Sequence, residues 1–306
     1  MDMEILNLLT NIRTPVLTWI NLALSILGEG TVFIAIFCLI FWCIDKKFAY
    51  RLGILYVISG LMIQTTKIIF RIPRPWIKDP SFHIVEEARN SATGYSFPSG
   101  HTQNVTALYS ALAFKSNRRA VKILCFLVIF LVMFSRMYLG VHTPTDVIVS
   151  FLLTLTISVF IYYYGENYSV DYNHLSVLLV LLFLLPLAAI GTCVYVYLNV
   201  PDVITENLID VIKSSGAAFG FLIGWLIERK YICFNENATT LPFQILKYII
   251  GLIVLILLNY IFGLITDTLL NGFLPAYFIS NMILLLFIVC IYPIFIKKCF
   301  TDEYYL

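Results

Sequence analysis

The sequence predicts an all-α protein, a polytopic bundle of about nine transmembrane helices. Two observations lead to this fold class. Of the 306 residues, 60% are hydrophobic and 12% are charged, with a mean hydropathy of +0.90, whereas an ordinary soluble domain has roughly 25% charged residues. Apolar stretches of about 20 residues, the length of a spanning helix, also recur along the chain. Membrane spans therefore account for nearly the whole sequence, which leaves no room for a separate soluble domain.

Nine apolar segments with polar boundaries are the predicted spans. In chain order they cover residues 29–45, 52–70, 98–115, 120–138, 144–164, 174–198, 207–228, 243–265 and 273–297. The segment 5–27 is apolar too, but four polar side chains interrupt it, namely Asn7, Asn11, Arg13 and Asn21. Because a helix of mixed polarity suits the membrane interface better than the bilayer core, we expect an interfacial helix there.

The positions of lysine and arginine predict the orientation, since short cytoplasmic loops are enriched in both. Basic clusters follow the first, third, seventh and last spans: Lys46, Lys47 and Arg51; Lys115, Arg118, Arg119 and Lys122; Arg229 and Lys230; Lys297 and Lys298. We expect these loops and the C-terminus in the cytoplasm. The opposite face also holds basic residues that this rule does not explain: Arg71, Arg74, Lys78, Arg89 and Arg136. Most of them lie in the longest loop, 71–97, where we expect function.

Three groups of polar residues lie at the outer ends of predicted spans. They are Lys67 and Arg74; Ser99, Gly100 and His101; and Arg136, His142 and Asp146. Hairpin connections between helices allow these ends to meet. Unpaired N–H groups at a helix start attract an anion, a glycine lets the anion approach closely, and arginine binds phosphoryl oxygens in bidentate fashion. The combination predicts a site that holds and attacks a phosphate.

The two histidines suggest separate roles. Asp146 follows His142 by four residues at a helix start, so its carboxylate can accept one ring N–H and leave the other nitrogen free as a nucleophile. His101, on a different helix, can protonate the leaving oxygen and later activate water.

Each residue taken alone has a simpler structural explanation. Lys67 can extend its ammonium group toward the interface, and Ser99 can be an ordinary helix cap. The segment Thr143–Asp146 can be a capped helix start and nothing more. The coincidence of all these residues at one membrane face favours the functional interpretation.

The three groups together resemble the signature of the type 2 phosphatidic acid phosphatase and vanadium haloperoxidase superfamily. The matching motifs are Lys67-x6-Arg74-Pro75, Pro98-Ser99-Gly100-His101 and Ser135-Arg136-x5-His142-x3-Asp146. The resemblance covers residues 60–160, and it implies a six-helix-type core and a metal-independent phosphatase without cofactor. It also implies a phosphohistidine on His142, oriented by Asp146, with His101 as the acid and base. The residues that it implies for holding the phosphoryl group are Lys67, Arg74, Ser99, Gly100 and Arg136.

The resemblance suggests a division of the chain into three parts. Residues 1–28 form the membrane-associated helix, 29–166 the catalytic membrane core, and 167–306 additional transmembrane helices of the same membrane domain. The additional helices resemble longer family members, such as the glucose-6-phosphatases and sphingoid-base phosphate phosphatases, in layout only. A stripe of Gly216, Gly220 and Gly224 there predicts close helix packing.

The sequence thus predicts an integral membrane phosphatase that hydrolyses a lipid phosphate or diphosphate at the outer face. Its expected partners are the lipid substrate, membrane lipids and, as a candidate, a second copy of the chain. No long basic run predicts nucleic-acid binding. The composition and the absence of sorting signals favour a bacterial plasma membrane.

Three alternatives stay open at this stage. One is a phosphotransferase that uses the same phosphohistidine, and another is a phosphatase for a soluble sugar phosphate. The third is a membrane transport or binding protein in which the catalytic site has lapsed.

Overall fold

The structure of the protein, a computed structural model, describes residues 2–165, 172–237 and 240–300. All regular structure within these ranges is helical, which confirms the predicted all-α class. The helices are α1 Asp2–Asn11, α2 Pro15–Ile26, α3 Gly30–Cys43, α4 Lys46–Phe70, α5 Pro75–Lys78, α6 Gly100–Lys115, α7 Arg119–Tyr138, α8 Pro144–Gly165, α9 Tyr172–Asn199, α10 Thr205–Ile227, α11 Leu241–Leu264, α12 Leu274–Leu286 and α13 Tyr292–Cys299. A 3₁₀-helix covers Glu86–Ser91, and π-helical turns cover Glu228–Ile232, Ile265–Leu269 and Phe287–Ile291.

The number of membrane spans follows from the length and hydropathy of these helices. Seven stretches in the described part of the chain are long and apolar enough to cross a membrane, and they match seven of the nine predicted spans. The pair α2 and α3, bent by 47°, makes an eighth if it forms one broken span. The predicted span 98–115 corresponds to α6, which has only 16 residues and begins with polar ones. The chain is a multi-pass membrane protein.

The predicted single helix over 5–27 is two helices. The chain breaks between Asn11 and Pro15, where Thr14 adopts an extended conformation and its side chain accepts a hydrogen bond from the backbone N–H of Leu17. Proline at the first helical position and threonine at the cap are a standard helix start, so α2 begins anew there.

One compact unit comprises the described parts of Met1–Phe33, Ile58–Val170 and Thr192–Leu208. Helix α6 packs against α7 and α8, while α1 and α2 pack against α7. An apolar cluster fills the space between them: Val105, Ile129, Val132, Met133 and Val147. Buried hydroxyl groups also pair across the helices, as in the 2.7 Å hydrogen bond between Ser110 and Ser158. This packing fixes the start of α6 next to the end of α7 and the start of α8.

The other unit comprises the described parts of Ile34–Val57, Asp171–Gly191 and Ile209–Leu306. Its glycine stripe packs as predicted. A Cβ atom on Gly216 would lie 2.1 Å from the carbonyl oxygen of Phe278, and one on Gly220 would lie 2.2 Å from that of Met282. Only glycine allows α10 and α12 to approach this closely.

Candidate active site

Arg74 is held rigidly in the loop between α4 and α6. It precedes Pro75, and its guanidinium is almost fully buried. The guanidinium donates hydrogen bonds to three carbonyl oxygens, from Nε to Gly94 at 3.1 Å, from Nη2 to Thr93 at 2.7 Å and from Nη1 to Val141 at 2.9 Å. The same Nη1 lies 2.9 Å from Nε2 of His142. Arg74 therefore has one orientation, directed at the histidine ring.

Asp146 both caps a helix and faces the histidine. Its carboxylate oxygen Oδ2 accepts the backbone N–H of Thr143 at 2.8 Å, and its own N–H donates to the Thr143 hydroxyl at 3.3 Å. These reciprocal bonds form a capping box at the start of α8. The same Oδ2 accepts the Ser96 hydroxyl at 2.5 Å and lies 3.5 Å from Nδ1 of His142. The Asp146 carboxylate thus both caps α8 and faces the His142 ring.

The ring of His142 lies between a cation and a carboxylate. Nη1 of Arg74 lies 2.9 Å from Nε2 and 3.5 Å from Nδ1, and Nδ1 lies 3.5 Å from the Asp146 carboxylate. In a neutral ring, a proton on Nδ1 faces that carboxylate and leaves Nε2 unprotonated. Burial and the adjacent Arg74 cation lower the pKa of His142 below its ordinary value, against the opposing effect of Asp146. A neutral ring with an unprotonated Nε2 is the form that a nucleophilic histidine requires.

The start of α6 offers open space. The Ser99 hydroxyl caps the helix by accepting the N–H of Thr102, and the Ser99 N–H donates to the Asp146 carbonyl at 3.2 Å. A Cβ atom on Gly100 would meet no atom within 4 Å. The Nε2 atom of His101 is buried and makes no hydrogen bond to any described residue. The helix start therefore leaves space at Gly100 and an imidazole nitrogen without a hydrogen-bond partner among the described residues.

The remaining cations of the predicted site are buried near the His101 ring. Arg136, on α7, is fully buried and donates to the hydroxyl groups of Ser25 and Ser91. Lys67 lies in the last turn of α4 and is buried as well. The groups that act electrostatically on the His101 ring all belong to the predicted set: Arg136, His142, Arg74 and Lys67. The structure brings the predicted residues together, and their individual roles stay predictions.

Several supporting residues escaped the sequence interpretation. Ser96, which donates to Asp146, lies only two residues before the predicted motif at Pro98, so its position was a usable signal. Ser25 lies in an apolar helix and carries no such signal. Arg13, interpreted only as an interruption, donates to the carbonyl oxygens of Tyr138 at 3.0 Å and His83 at 2.6 Å. It joins the N-terminal helices to the loop and to the end of α7.

Two separate parts of the chain match known families. Residues 47–169 match the family described as PAP2 superfamily. This part of the chain is a PAP2 superfamily domain. Residues 212–303 match the description "PAP2 superfamily phosphatase, transmembrane extension". All eight predicted site residues lie within the first match, and the additional helices of the second match correspond to an extension that other members of this superfamily also possess.

Individual relatives of this PAP2 protein are phosphatases. Sphingosine-1-phosphate phosphatase 1 from Rattus norvegicus is 34% identical over 142 residues, which are 44% of this chain and 32% of that protein. Phosphatidylglycerophosphatase B from Bacillus subtilis (strain 168) is 28% identical over 156 residues, 47% of this chain and 73% of that protein. The chain spans about a third of the length of the sphingosine-1-phosphate phosphatase 1 sequences that it matches.

Solved structures of two membrane phosphatases are also similar. The transmembrane PAP2-type phosphatidylglycerolphosphate phosphatase from Bacillus subtilis has a TM-score of 0.46 and 24% identity, and the alignment covers 55% of this chain and 86% of that one. LpxE from Aquifex aeolicus has a TM-score of 0.42 and 27% identity, and the alignment covers 52% of this chain and 93% of that one.

Proposed function

We propose that this PAP2 protein is a phosphatase that hydrolyses a lipid phosphate or diphosphate through a phosphohistidine on His142. The observation that carries the proposal is the position of the His142 ring. Its Nε2 lies 2.9 Å from a guanidinium that three carbonyl oxygens hold in place, while Nδ1 faces Asp146. A nucleophile and a phosphate-binding cation thus meet at one atom, next to the open start of α6.

The first chemical step forms a bond from Nε2 to phosphorus. A phosphoryl group at the start of α6 takes over the Nη1 hydrogen bond of Arg74, which frees the Nε2 lone pair to attack. The bond from phosphorus to the lipid oxygen breaks as His101 gives that oxygen a proton. Arg136 and Lys67 compensate the charge that develops on the phosphoryl oxygens, and the proton on Nδ1 stays hydrogen-bonded to Asp146.

The second step releases phosphate. A water molecule attacks phosphorus and gives a proton to His101, which is now the base. The bond from phosphorus to Nε2 breaks, and the histidine regains its neutral form. Each group returns to its starting protonation state after one hydrolysis, so the cycle needs no metal ion or cofactor.

The distribution of basic residues supports an outward site, with the C-terminus in the cytoplasm. Helix α4 begins at Lys46 and carries Lys67 in its last turn, while α7 begins at Arg119 and carries Arg136 near its end. The site residues therefore lie at the helix ends opposite the basic loops. Basic loops favour the cytoplasmic side, which leaves the site facing outward. A lipid substrate is supported by the relatives, which are named for sphingosine 1-phosphate and phosphatidylglycerophosphate.

The test is phosphate release by the purified full chain in detergent with EDTA present. The substrates are phosphatidate, phosphatidylglycerol phosphate, undecaprenyl diphosphate, sphingosine phosphate and glucose 6-phosphate. We expect activity on at least one lipid and none for His142→Ala. His83→Ala is the matched control, because the structure uses only the backbone oxygen of this exposed histidine.

Three results would contradict the proposal. Hydrolysis by His142→Ala would rule out a phosphohistidine on this residue. A preference for glucose 6-phosphate would favour the sugar phosphatase. Absence of any hydrolysis by folded protein, together with phosphate transfer to an added alcohol, would favour the phosphotransferase.

A further inference from the structure

Asn207 contacts the loop that carries Arg74, although it lies outside both matched family regions. It is in the first turn of α10 and is 1% exposed. Its side-chain oxygen accepts the backbone N–H of Tyr95 at 2.7 Å. The amide also packs on Gly94, where φ is +63° and a Cβ atom would lie 2.3 Å from that oxygen. The asparagine side chain thus fits against the backbone of residues 94 and 95.

A second contact joins the same two segments. The Tyr95 hydroxyl accepts the backbone N–H of Ile204 at 3.4 Å, and the tyrosine ring is buried. Both the backbone and the side chain of Tyr95 therefore bind the start of α10. The amide nitrogen of Asn207 is buried and makes no hydrogen bond to any described residue. Since an apolar residue would avoid the cost of this unsatisfied donor, packing alone does not account for asparagine here.

The residues on either side of Tyr95 orient both partners of His142. The carbonyl oxygens of Thr93 and Gly94 accept two of the hydrogen bonds of Arg74. The hydroxyl of Ser96 donates to Asp146, and the Ser96 N–H donates to the Ile72 carbonyl at 2.8 Å. A displacement of Tyr95 would therefore move the supports of the cation and of the carboxylate together.

We propose that Asn207 is a positioning residue of the phosphatase reaction, which holds the segment Thr93–Ser96 so that Arg74 and Asp146 meet the His142 ring. It does not touch the phosphoryl group. This inference rests on the proposed function, and it gives the helices beyond the catalytic core a part in the chemistry. The first turn of α10 is needed for the geometry of the site, even though the residues that react all lie before it.

The experiment compares three substitutions with a matched control. Asn207→Ala removes the acceptor, Asn207→Ser leaves a hydroxyl too short to replace it, and Asn207→Asp keeps an oxygen for the Tyr95 N–H. The control is Asn199→Ala, because Asn199 is exposed and bonds only within its own helix. We expect Asn207→Ala and Asn207→Ser to lose about 10- to 100-fold in kcat/KM, since small displacements of positioned groups cost this much. Asn207→Asp should restore most of the loss.

Two further readouts separate positioning from a general loss of stability. In the Arg74→Lys background, Asn207→Ala should lower kcat/KM by a much smaller factor than it does in the wild type, because both changes act on the same guanidinium. Inorganic phosphate should raise the thermal midpoint of the wild type and of Asn207→Asp, but not of Asn207→Ala or Asn207→Ser. Full activity and a normal phosphate response in folded Asn207→Ala would overturn the inference. The inference would also be overturned if kcat/KM of the double variant fell by the full product of the two single losses.

Failure of the proposed function would be recognised separately. It would appear as a wild type that responds to phosphate but hydrolyses no ester. The phosphate response of the Asn207 variants would still decide whether this asparagine positions Arg74. If Asn207→Ala does not fold, Asn207→Ser provides the same comparison.

Discussion

Arg74 contacts both the His142 ring and the backbone carbonyl of the residue before it. Its Nη1 donates to the carbonyl oxygen of Val141, the residue before the histidine, and lies 2.9 Å from the ring nitrogen Nε2. One guanidinium therefore holds the backbone just before the histidine and lies against the ring nitrogen that is the proposed nucleophile. A phosphoryl oxygen that arrives at this guanidinium is already adjacent to the nucleophile, so substrate binding and nucleophile activation depend on the same side chain.

We expect Arg74→Lys to lower kcat/KM by about 100-fold or more. An ammonium group keeps the charge but cannot reach the carbonyl oxygens and the phosphate with a rigid planar fork. Steady-state kinetics on the best lipid substrate measure the loss. Arg119→Lys is the control, since this exposed arginine lies at the start of α7, whereas the site is at the end of that helix. Equal kinetics for the two lysine variants would show that Arg74 acts as a charge alone.

We expect Asp146→Asn to lose about 100-fold or more in kcat while it unfolds at nearly the wild-type temperature. Asparagine can still accept the Thr143 N–H that caps α8, but it lacks the charge that favours the proton on Nδ1. Kinetics and thermal unfolding of the same preparation distinguish the two roles of the carboxylate. A kcat of Asp146→Asn close to that of the wild type would mean that this side chain only caps the helix.

Site residues that lie in short motifs are visible in a sequence, whereas contacts between distant segments are not. The residues around His142, His101 and Arg74 were predictable because their chemistry is written in short motifs at helix ends. Ser25 and Asn207 were not, because each reaches the site from a distant part of the chain through contacts that have no local pattern. The single helix predicted over 5–27 is divided because the cap at Thr14 and Pro15 outweighs the apolar pattern on either side.

We expect the stability of the protein to fall below about pH 6.5 in a way that His142→Gln partly removes. Burial and Arg74 lower the pKa of His142, so the folded protein keeps this ring neutral. The unfolded chain takes up a proton there near pH 6.5 and is thereby favoured as the pH decreases. At pH 5.5 the difference amounts to about 1.4 kcal/mol. The free energies of unfolding of the wild type and of His142→Gln, measured between pH 7.5 and 5.5, give this difference. An identical pH dependence in the two proteins would mean that the folded protein protonates this ring as readily as the unfolded chain does.

We expect His101→Ala to slow the first step of the reaction far less with p-nitrophenyl phosphate than with a lipid phosphate. A nitrophenolate leaves without a proton, so attack by His142 proceeds, but the water of the second step lacks its base. A rapid burst of nitrophenol followed by slow turnover should result, with phosphate bound to the protein in a form that is stable in alkali and lost in acid. A slow first turnover would indicate that His101 does not act as the acid.

The last prediction concerns Gly100, whose missing side chain keeps the start of α6 open. A Cβ atom at this position meets no protein atom within 4 Å, and the same is true of Gly60 in the middle of α4. Alanine favours helices over glycine by about 0.5 to 1 kcal/mol, so neither Gly100→Ala nor Gly60→Ala should destabilise the fold. Only Gly100→Ala places a methyl group where the phosphoryl group is proposed to bind. Its KM and its inhibition constant for inorganic phosphate should therefore rise by about tenfold or more, the effect of losing close backbone contacts worth about 1.4 kcal/mol. Unchanged phosphate binding in Gly100→Ala, measured beside Gly60→Ala, would place the anion elsewhere in the site.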